Sequence, residues 1–190
     1  MASRVPSDDT STPYNSLTES DSRTSNDSIR TLFIIGLRNA HAMETEAEQL
    51  LKRQIERLDE YPDLKARLEN HLDETQVQQK RLDDILSGLG ESASSLKDAA
   101  MSLFGNMAAA AHMPADDEVL KNSLASFAFE NYETAAYKSL IAIAESAGAG
   151  DAVAPLRQSC QEEEAMASWL SSQIDSVPRR YIDRSVRRAA

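Results

Sequence analysis

Apolar residues recur at helical spacing along most of this chain. In residues 28–58 the apolar positions are three, four or seven residues apart, and similar stretches follow at residues 62–86, 116–146 and 151–174. A period near 3.6 residues predicts amphipathic helices that turn one face toward a common core. Glycine and proline are scarce, at 6 each, and only 5% of residues are aromatic, which favours helices over a β-sandwich or barrel.

Helix-breaking residues separate these four stretches. Pro62 is placed for the first turn of the second helix, Gly88 for its end, and Gly148 for the turn between the third and fourth helices. A shorter periodic stretch at residues 93–112 predicts an additional short helix in the crossover between helices 2 and 3. Two hairpins joined by one long crossover make the ferritin-like antiparallel four-helix bundle, and this all-α fold is the fold class that we predict.

The ends of the chain differ from the middle. Residues 1–27 are rich in Ser, Thr, Asp and Asn, so they bury too little apolar surface to offset the entropy of ordering, and we expect a disordered N-terminal tail. Residues 28–176 form the predicted bundle domain. Residues 177–190 are an Arg-rich C-terminal tail, whose arginines could contact an acidic partner, another subunit or only solvent.

Charge and composition exclude several classes of function. The formal net charge of −11 argues against nucleic-acid binding, which requires a basic face. A single cysteine, Cys160, excludes an intrachain disulfide and fits a reducing compartment. No apolar run approaches the roughly 20 residues of a membrane span, and the N-terminus lacks the apolar stretch of a signal peptide. We therefore expect a cytoplasmic protein with no membrane insertion.

Polar residues interrupt the apolar faces near the middle of each long helix. A lone buried carboxylate costs several kcal/mol or becomes protonated. Several acidic side chains in one layer would repel one another unless cations lay between them, so the pattern predicts a metal site. The predicted ligands are Glu44, His71, Glu74, Glu130, Glu133 and Glu163.

The spacing of these residues indicates the kind of site. His71 and Glu74 are three residues apart, as are Glu130 and Glu133, so each pair leaves one helix face together. Dinuclear bundle sites use one Glu from each of two helices and a Glu-x-x-His pair from each of the others. Here the order is His-x-x-Glu and the fourth helix has no histidine. The resulting oxygen-rich set suits iron or manganese better than copper or zinc.

Each candidate also has a purely structural interpretation. Any single Glu could be solvated at a boundary face, and His71 could be a hydrogen-bonded core histidine. Three further residues could belong to the site. His41 lies three residues before Glu44, Tyr137 lies one turn beyond Glu133, and Glu162 is one step off the inward stripe.

The same stretches carry a resemblance to a known family. The matching segments are LRNAHAME, which ends in Glu44, then HLDET, FENYETAAYKSL and EEEAMASWL. Over about residues 32–170 the chain resembles the YciE/YciF family of ferritin-like bacterial proteins associated with stress. The resemblance implies a four-helix bundle with a dinuclear metal site and a homodimer. With the oxygen-rich ligand set, we expect the cofactor to be two Fe or Mn ions. The chain departs from many members at Asn131, where they have His, and at His41, where they have Tyr.

Two functions are compatible with these observations. The first is a dinuclear Fe or Mn protein that handles iron, oxygen or peroxide in the stress response, with an oxidase- or peroxidase-type activity left open and no catalytic residue assigned. The alternative is a non-enzymatic helical-bundle dimer or adaptor whose acidic core is structural or vestigial. Metal content and metal-dependent stability distinguish them, because a ligand that binds the native state must stabilise it.

Overall fold

The computed structural model describes residues 19–93 and 117–189, and within them all regular structure is helical. The helices are α1 (Glu19–Ile55), α2 (Pro62–Gly88), α3 (Glu118–Ser146), α4 (Gly150–Gln173) and α5 (Ser176–Ala189). The first four pack as two hairpins, α1 with α2 and α3 with α4, and the hairpins pack on each other. This arrangement is the predicted all-α bundle of two helical hairpins. No described helix is long and apolar enough to cross a membrane.

Local sequence signals set the turns. Pro62 occupies the first position of α2, where its missing N–H would have had no helical partner. Helix α3 ends at Ser146, and Gly148, two residues later, has a φ of 69° that glycine adopts readily. The Ala149 N–H returns to the Ala144 carbonyl at 2.9 Å. The turn after α2 has the same form, with Gly90 at φ 76°. These motifs satisfy the last helical carbonyls and keep the α3–α4 connection short.

The bundle core has two apolar clusters. One lies around Phe33, Leu37 and Leu156, and the other around Leu68 and Leu170. Between these clusters, buried polar residues occupy the inward face of α2, which runs from Leu68 through His71, Thr75 and Gln78 to Leu82. The candidate site therefore occupies a polar layer between two water-excluding clusters.

Helix α1 begins nine residues before the start predicted at Ser28. Hydroxyl residues near this end of α1 are compatible with the helix interior, because their side chains donate hydrogen bonds to backbone carbonyls four residues earlier. Ser28 donates to the Thr24 carbonyl at 2.9 Å, and Thr31 donates to the Asp27 carbonyl at 2.8 Å. The predicted crossover helix at residues 93–112 falls almost entirely outside the described residues, as do residues 1–18.

The Arg-rich segment at the C-terminal end is the helix α5, and it lies against the turn between α1 and α2. Arg180 makes two hydrogen bonds of 2.7 Å to Asp63. The guanidinium carbons of Arg180 and Arg184 lie 5.0 and 5.2 Å from the centre of the Tyr61 ring. Arg188 also pairs with Glu60 at 2.6 Å. These arginines thus contact the same chain.

Candidate metal centre

Four buried side chains of three helices converge in the polar layer. His71 comes from α2, Glu130 and Glu133 from α3, and Glu163 from α4. Each offers one ligand atom, and these atoms all lie within 4.8 Å of one another. Each of the four residues is at most 3% exposed. The spacing of three between Glu130 and Glu133 places both carboxylates on the same side of α3, as the sequence predicts.

The imidazole of His71 lies at the centre of this group. Its Nε2 is 3.0 Å from Glu130 Oε2 and 3.5 Å from Glu163 Oε2. Its other nitrogen, Nδ1, is 2.9 Å from Glu74 Oε2. The two ring nitrogens thus have different surroundings, with Nε2 toward the buried carboxylates and Nδ1 toward the outer face of α2.

Glu74 differs from the other predicted ligands in its position. Its side chain is 36% exposed, and its Oε2 accepts hydrogen bonds from His71 and from Arg67 Nη1, the latter at 3.2 Å. The carboxylate therefore contacts the side of the imidazole that faces away from Glu130. A carboxylate on the outer nitrogen of a metal-binding histidine fixes the tautomer and orientation of the ring.

Glu44 of α1 borders the group and is held by a tyrosine. It is fully buried, and its Oε1 accepts a hydrogen bond of 2.6 Å from the Tyr137 hydroxyl. Its other oxygen, Oε2, has no hydrogen-bond partner among the described residues. Tyr137 thus lies beside the site and hydrogen-bonds a predicted ligand. When Glu44 is ionised, its charge raises the pKa values of Glu133 and Glu163.

A polar network that the sequence reasoning did not assign supports Glu163. The Gln78 amide donates to Glu163 Oε1 at 2.5 Å and to Glu162 Oε2 at 3.1 Å. Arg81 in turn forms a bidentate pair with Glu162, with one contact of 2.9 Å between Nη2 and Oε1. Glu162 therefore lies beside the site, paired with arginine. Gln78 lies seven residues after His71, so the sequence indicates that it faces inward. The sequence does not indicate that it hydrogen-bonds Glu163.

His41 lies away from the group. Its Nε2 is 3.4 Å from Asp83 Oδ1, and the side chain is 22% exposed. His41 therefore pairs with a carboxylate outside the buried group.

Burial and mutual repulsion raise the pKa values of three carboxyls in this layer, those of Glu44, Glu133 and Glu163. Burial raises the pKa of Glu44 to about 8, although Tyr137 and His71 act in the opposite direction. Burial, with the charges of Glu44 and Glu130, raises the pKa of Glu163 to about 10. The same causes raise the pKa of Glu133 well above its usual range. These three carboxyls thus retain protons at neutral pH.

The pKa of His71 is also raised. Burial opposes a charged imidazolium, but the neighbouring Glu130, Glu74 and Glu163 together outweigh it and raise the pKa of His71 to about 10. Protons therefore provide the positive charge that this acidic layer requires when the carboxylates have no other cation.

The donor set fits divalent metal ions. Among the described residues, neither oxygen of Glu133 has a hydrogen-bond donor other than a neighbouring carboxyl, although both oxygens are buried. A buried carboxylate without donors is costly, and a cation bound to it removes that cost. Four carboxylates and one imidazole form an oxygen-rich set, which suits iron or manganese. The buried His/Glu group can thus hold metal.

The chain is similar to a described family and to solved structures. A family described as "Domain of unknown function (DUF892)" matches residues 28–183. A protein of Xanthomonas campestris pv. campestris is 30% identical, with 83% of this chain and 98% of that chain covered and a TM-score of 0.70. The stress protein YciF of E. coli is 23% identical, with 77% and 94% covered and a TM-score of 0.66.

A fourth comparison concerns the fold alone. The bacterioferritin of Desulfovibrio desulfuricans, whose structure contains a diiron site, is 15% identical, with 81% of this chain and 84% of that chain covered and a TM-score of 0.66. At this identity the likeness establishes a shared ferritin-like bundle. The bundle and the family resemblance predicted from the sequence are both confirmed.

Proposed function

The chain belongs to the family described as Domain of unknown function (DUF892), which matches the YciE/YciF-type ferritin-like proteins, and we propose that it binds two iron or manganese ions in its buried polar layer. The observation that carries this proposal is the approach of four buried ligand-type side chains to within 4.8 Å. Buried acidic residues in such a layer are expensive to maintain unless they bind cations.

The residues divide into ligands and supports. His71 Nε2 and the carboxylates of Glu130, Glu133 and Glu163 are the proposed ligands, and Glu44 is a fifth because its Oε2 is buried and has no described partner. Several carboxylates around few nitrogen donors match the general composition of dinuclear bundle sites.

The supporting residues hold these ligands in place. Glu74 accepts a hydrogen bond from His71 Nδ1, which leaves Nε2 directed at the site. Tyr137 positions Glu44, and Gln78 positions Glu163. On one side of the layer, Leu68, Met166 and Leu170 exclude water.

We further propose that the protein handles iron, oxygen or peroxide in a stress response. A bound iron or manganese pair would supply redox chemistry and Lewis acidity that no side chain of the bundle provides. The likeness to a protein named as a stress protein and to a diiron bacterioferritin supports this proposal. A homodimer in the cytoplasm, as the family resemblance and the composition imply, is part of the same proposal.

Metal content tests the proposal directly. Metal-free protein is titrated with Mn(II), or anaerobically with Fe(II), and bound metal is measured by elemental analysis after gel filtration. We expect about two ions per chain. The thermal midpoint should rise with free metal, because a ligand at 100 times its Kd adds about 2.7 kcal/mol to the stability of the native state.

The variant Glu133→Gln sharpens this test. It replaces a buried carboxyl that must take up a proton at neutral pH by a neutral amide of nearly the same shape, so the metal-free protein should become more stable while the stabilisation by metal is lost. The matched control is Glu164→Gln, an exposed carboxylate of α4 that pairs with Lys138. Wild-type protein that binds no metal and gains no stability from it would instead favour the non-enzymatic bundle or adaptor.

A further inference from the structure

A cleft between α1 and α3 is partly open to solvent and reaches the candidate metal centre. Its volume is about 30 Å³, which accommodates roughly two water molecules. The buried Glu130 lines this α1–α3 cleft, and Glu130 Oε2 is 3.0 Å from His71 Nε2. One side chain of the buried group is therefore also a wall of a space that water can enter.

Polar side chains recur at every fourth position along this side of α3. Asn122, Ser126 and Glu130 share one helix face because of that spacing. Ser126 donates a hydrogen bond of 3.1 Å to Gln54 Oε1 of α1, and both residues line the cleft. Asn122 Oδ1 is buried and has no hydrogen-bond partner among the described residues. Side-chain oxygens thus follow one another along α3 up to the Glu130 carboxylate.

Short side chains keep the cleft open. Ala47 of α1 and Ala125 of α3 line it from opposite sides. Nearer the start of α1 the same two helices are in close contact, since a Cβ on Gly36 would approach Leu140 Cδ1 to 2.8 Å. A larger side chain at residue 125 would therefore fill the cleft.

The other partly exposed surroundings of the buried group carry arginines. Arg67 pairs with Glu74 beside the outer nitrogen of His71. Arg81 pairs with Glu162 beside the support of Glu163. Both guanidinium groups are partly exposed, so each places a positive charge where solvent approaches the group. A free divalent cation is repelled by such a charge.

The α1–α3 cleft has the opposite electrostatic character. Within the described part of the chain, the residues that line it include Glu130 but no lysine, arginine or histidine. Arg57, three residues after Gln54, pairs with Glu118 at 2.6 Å. The chain as a whole has a formal net charge of −11. Clefts lined by charge of one sign raise the local concentration and the association rate of ions of the other sign.

We propose that the α1–α3 cleft is the entrance through which divalent iron or manganese reaches the buried group, and that Glu130 is the first carboxylate that the ion binds. The proposal rests on the proposed metal-binding function. Water in the cleft is part of this route, because the ion moves with some of its hydration shell. The oxygens of Gln54 and Ser126 replace the water that it loses, and both metals accept oxygen ligands.

The rate of metal uptake tests this route. Mn(II) is mixed rapidly with metal-free protein, and a fluorescent indicator of free Mn(II) follows its uptake and release. The variant Ala125→Leu should slow uptake and release by the same factor, at least about fivefold, so that the Kd and the number of bound ions stay unchanged. The control Ala128→Leu, on the exposed side of α3, should bind at the wild-type rate.

The charge at residue 54 provides a second test, which decides alone if Ala125→Leu perturbs the fold. Gln54→Lys should slow Mn(II) uptake roughly tenfold and Gln54→Glu should accelerate it, and added salt should reduce both effects. The control Gln49→Lys makes the same charge change at an exposed position of α1 outside the lining of the cleft. It should change the rate by less than about twofold.

Wild-type rates in Ala125→Leu and in both Gln54 variants would overturn the route. Faster uptake in Arg67→Ala or Arg81→Ala, with Ala125→Leu at the wild-type rate, would place the entrance beside an arginine and would also overturn it. A higher Kd at an unchanged uptake rate in Ala125→Leu would make the cleft part of the site, contrary to the proposal. Bound metal with unchanged rates contradicts the route alone, whereas a wild-type protein that binds no metal contradicts the proposed function as well.

Discussion

The two ring nitrogens of His71 contact different carboxylates and therefore differ in function. Nδ1 contacts Glu74, which is also held by Arg67, whereas Nε2 contacts the buried Glu130. The arginine and the imidazole keep the pKa of the Glu74 carboxyl below its usual value, with the His71 hydrogen bond as the largest cause. A fixed negative charge on the outer nitrogen increases the basicity of the inner one toward a metal.

Replacing Glu74 therefore distinguishes a support from a ligand. For Glu74→Gln we expect metal affinity to fall by roughly 10–100-fold while the number of ions at saturation is unchanged, as for other partners of metal-bound histidines. Calorimetric titration with Mn(II) measures both quantities. The control is Glu69→Gln, an exposed carboxylate on the same helix. A lower stoichiometry, like that expected for Glu133→Gln, would show that Glu74 is itself a ligand, as the sequence predicts.

The sequence could not show whether Glu74 is a ligand or a support of His71, because residue spacing does not determine the direction of the side chain. A separation of three places His71 and Glu74 on one helix face, but the rotamer decides whether the carboxylate turns inward or outward. Arg67, four residues before His71, holds Glu74 outward, and that contact depends on side-chain geometry. Glu130, Glu133 and Glu163 were predictable because their helical positions alone determine that they are buried.

At the scale of elements, ion pairs hold α5 against the turn between α1 and α2 and the first turn of α2. The Arg180–Asp63 pair is bidentate, and Arg180 holds the pKa of the Asp63 carboxyl below its ordinary value. Val177, at the start of α5, is buried among the residues of the second apolar cluster. The helix is therefore held by the buried Val177, by two arginines over the Tyr61 ring and by several partly exposed ion pairs.

The pH dependence of stability follows from this pair. A carboxyl whose pKa is lowered by folding stabilises the native state above its unfolded pKa, and the contribution disappears as the pH falls through the lowered value. Asp63→Asn should thus cost roughly 0.5 kcal/mol at neutral pH, a small effect because the pair is exposed. The difference from wild type should shrink as the pH falls below the unfolded value of about 3.9 and vanish below the lowered pKa of Asp63. Denaturant unfolding over this pH range measures it, with Asp73→Asn as the control, and a pH-independent difference would contradict the linkage.

Periodicity and turn residues predicted α2, α3 and α4 to within about two residues at each end, because glycine and proline mark those boundaries. The start of α1 and the whole of α5 were missed for related reasons. Ser28 signals a helix start, yet its hydroxyl can also bond backward inside a helix. Pro178 suggests a stop, yet the first turn of α5 accepts it because no carbonyl there needs its N–H.

At the scale of the whole molecule, self-association is the prediction that the described surface supports. Leu32 and Ile35 lie one turn apart on α1 and are 51% and 41% exposed. Adjacent exposed aliphatic residues are a common feature of protein interfaces. If the proposed homodimer uses them, Leu32→Arg should weaken it at least about tenfold, because a guanidinium would be buried without a partner.

Sedimentation equilibrium over a range of concentrations measures this change. Val77→Arg is the control, since Val77 is 48% exposed but lies on α2. A wild-type protein that stays monomeric would contradict the homodimer, and equal effects of the two variants would place the interface elsewhere.

The division of the buried group between the two hairpins bears on how the chain folds. Glu44 and His71 belong to the α1–α2 hairpin, and Glu130, Glu133 and Glu163 belong to the α3–α4 hairpin. Contacts within a hairpin are close in sequence and form quickly, whereas contacts between hairpins close a long loop and form later. Each hairpin can therefore fold with its carboxylates still hydrated. The acidic residues lose their water only in the final docking step, so the energetic cost of the site falls on the last stage of folding.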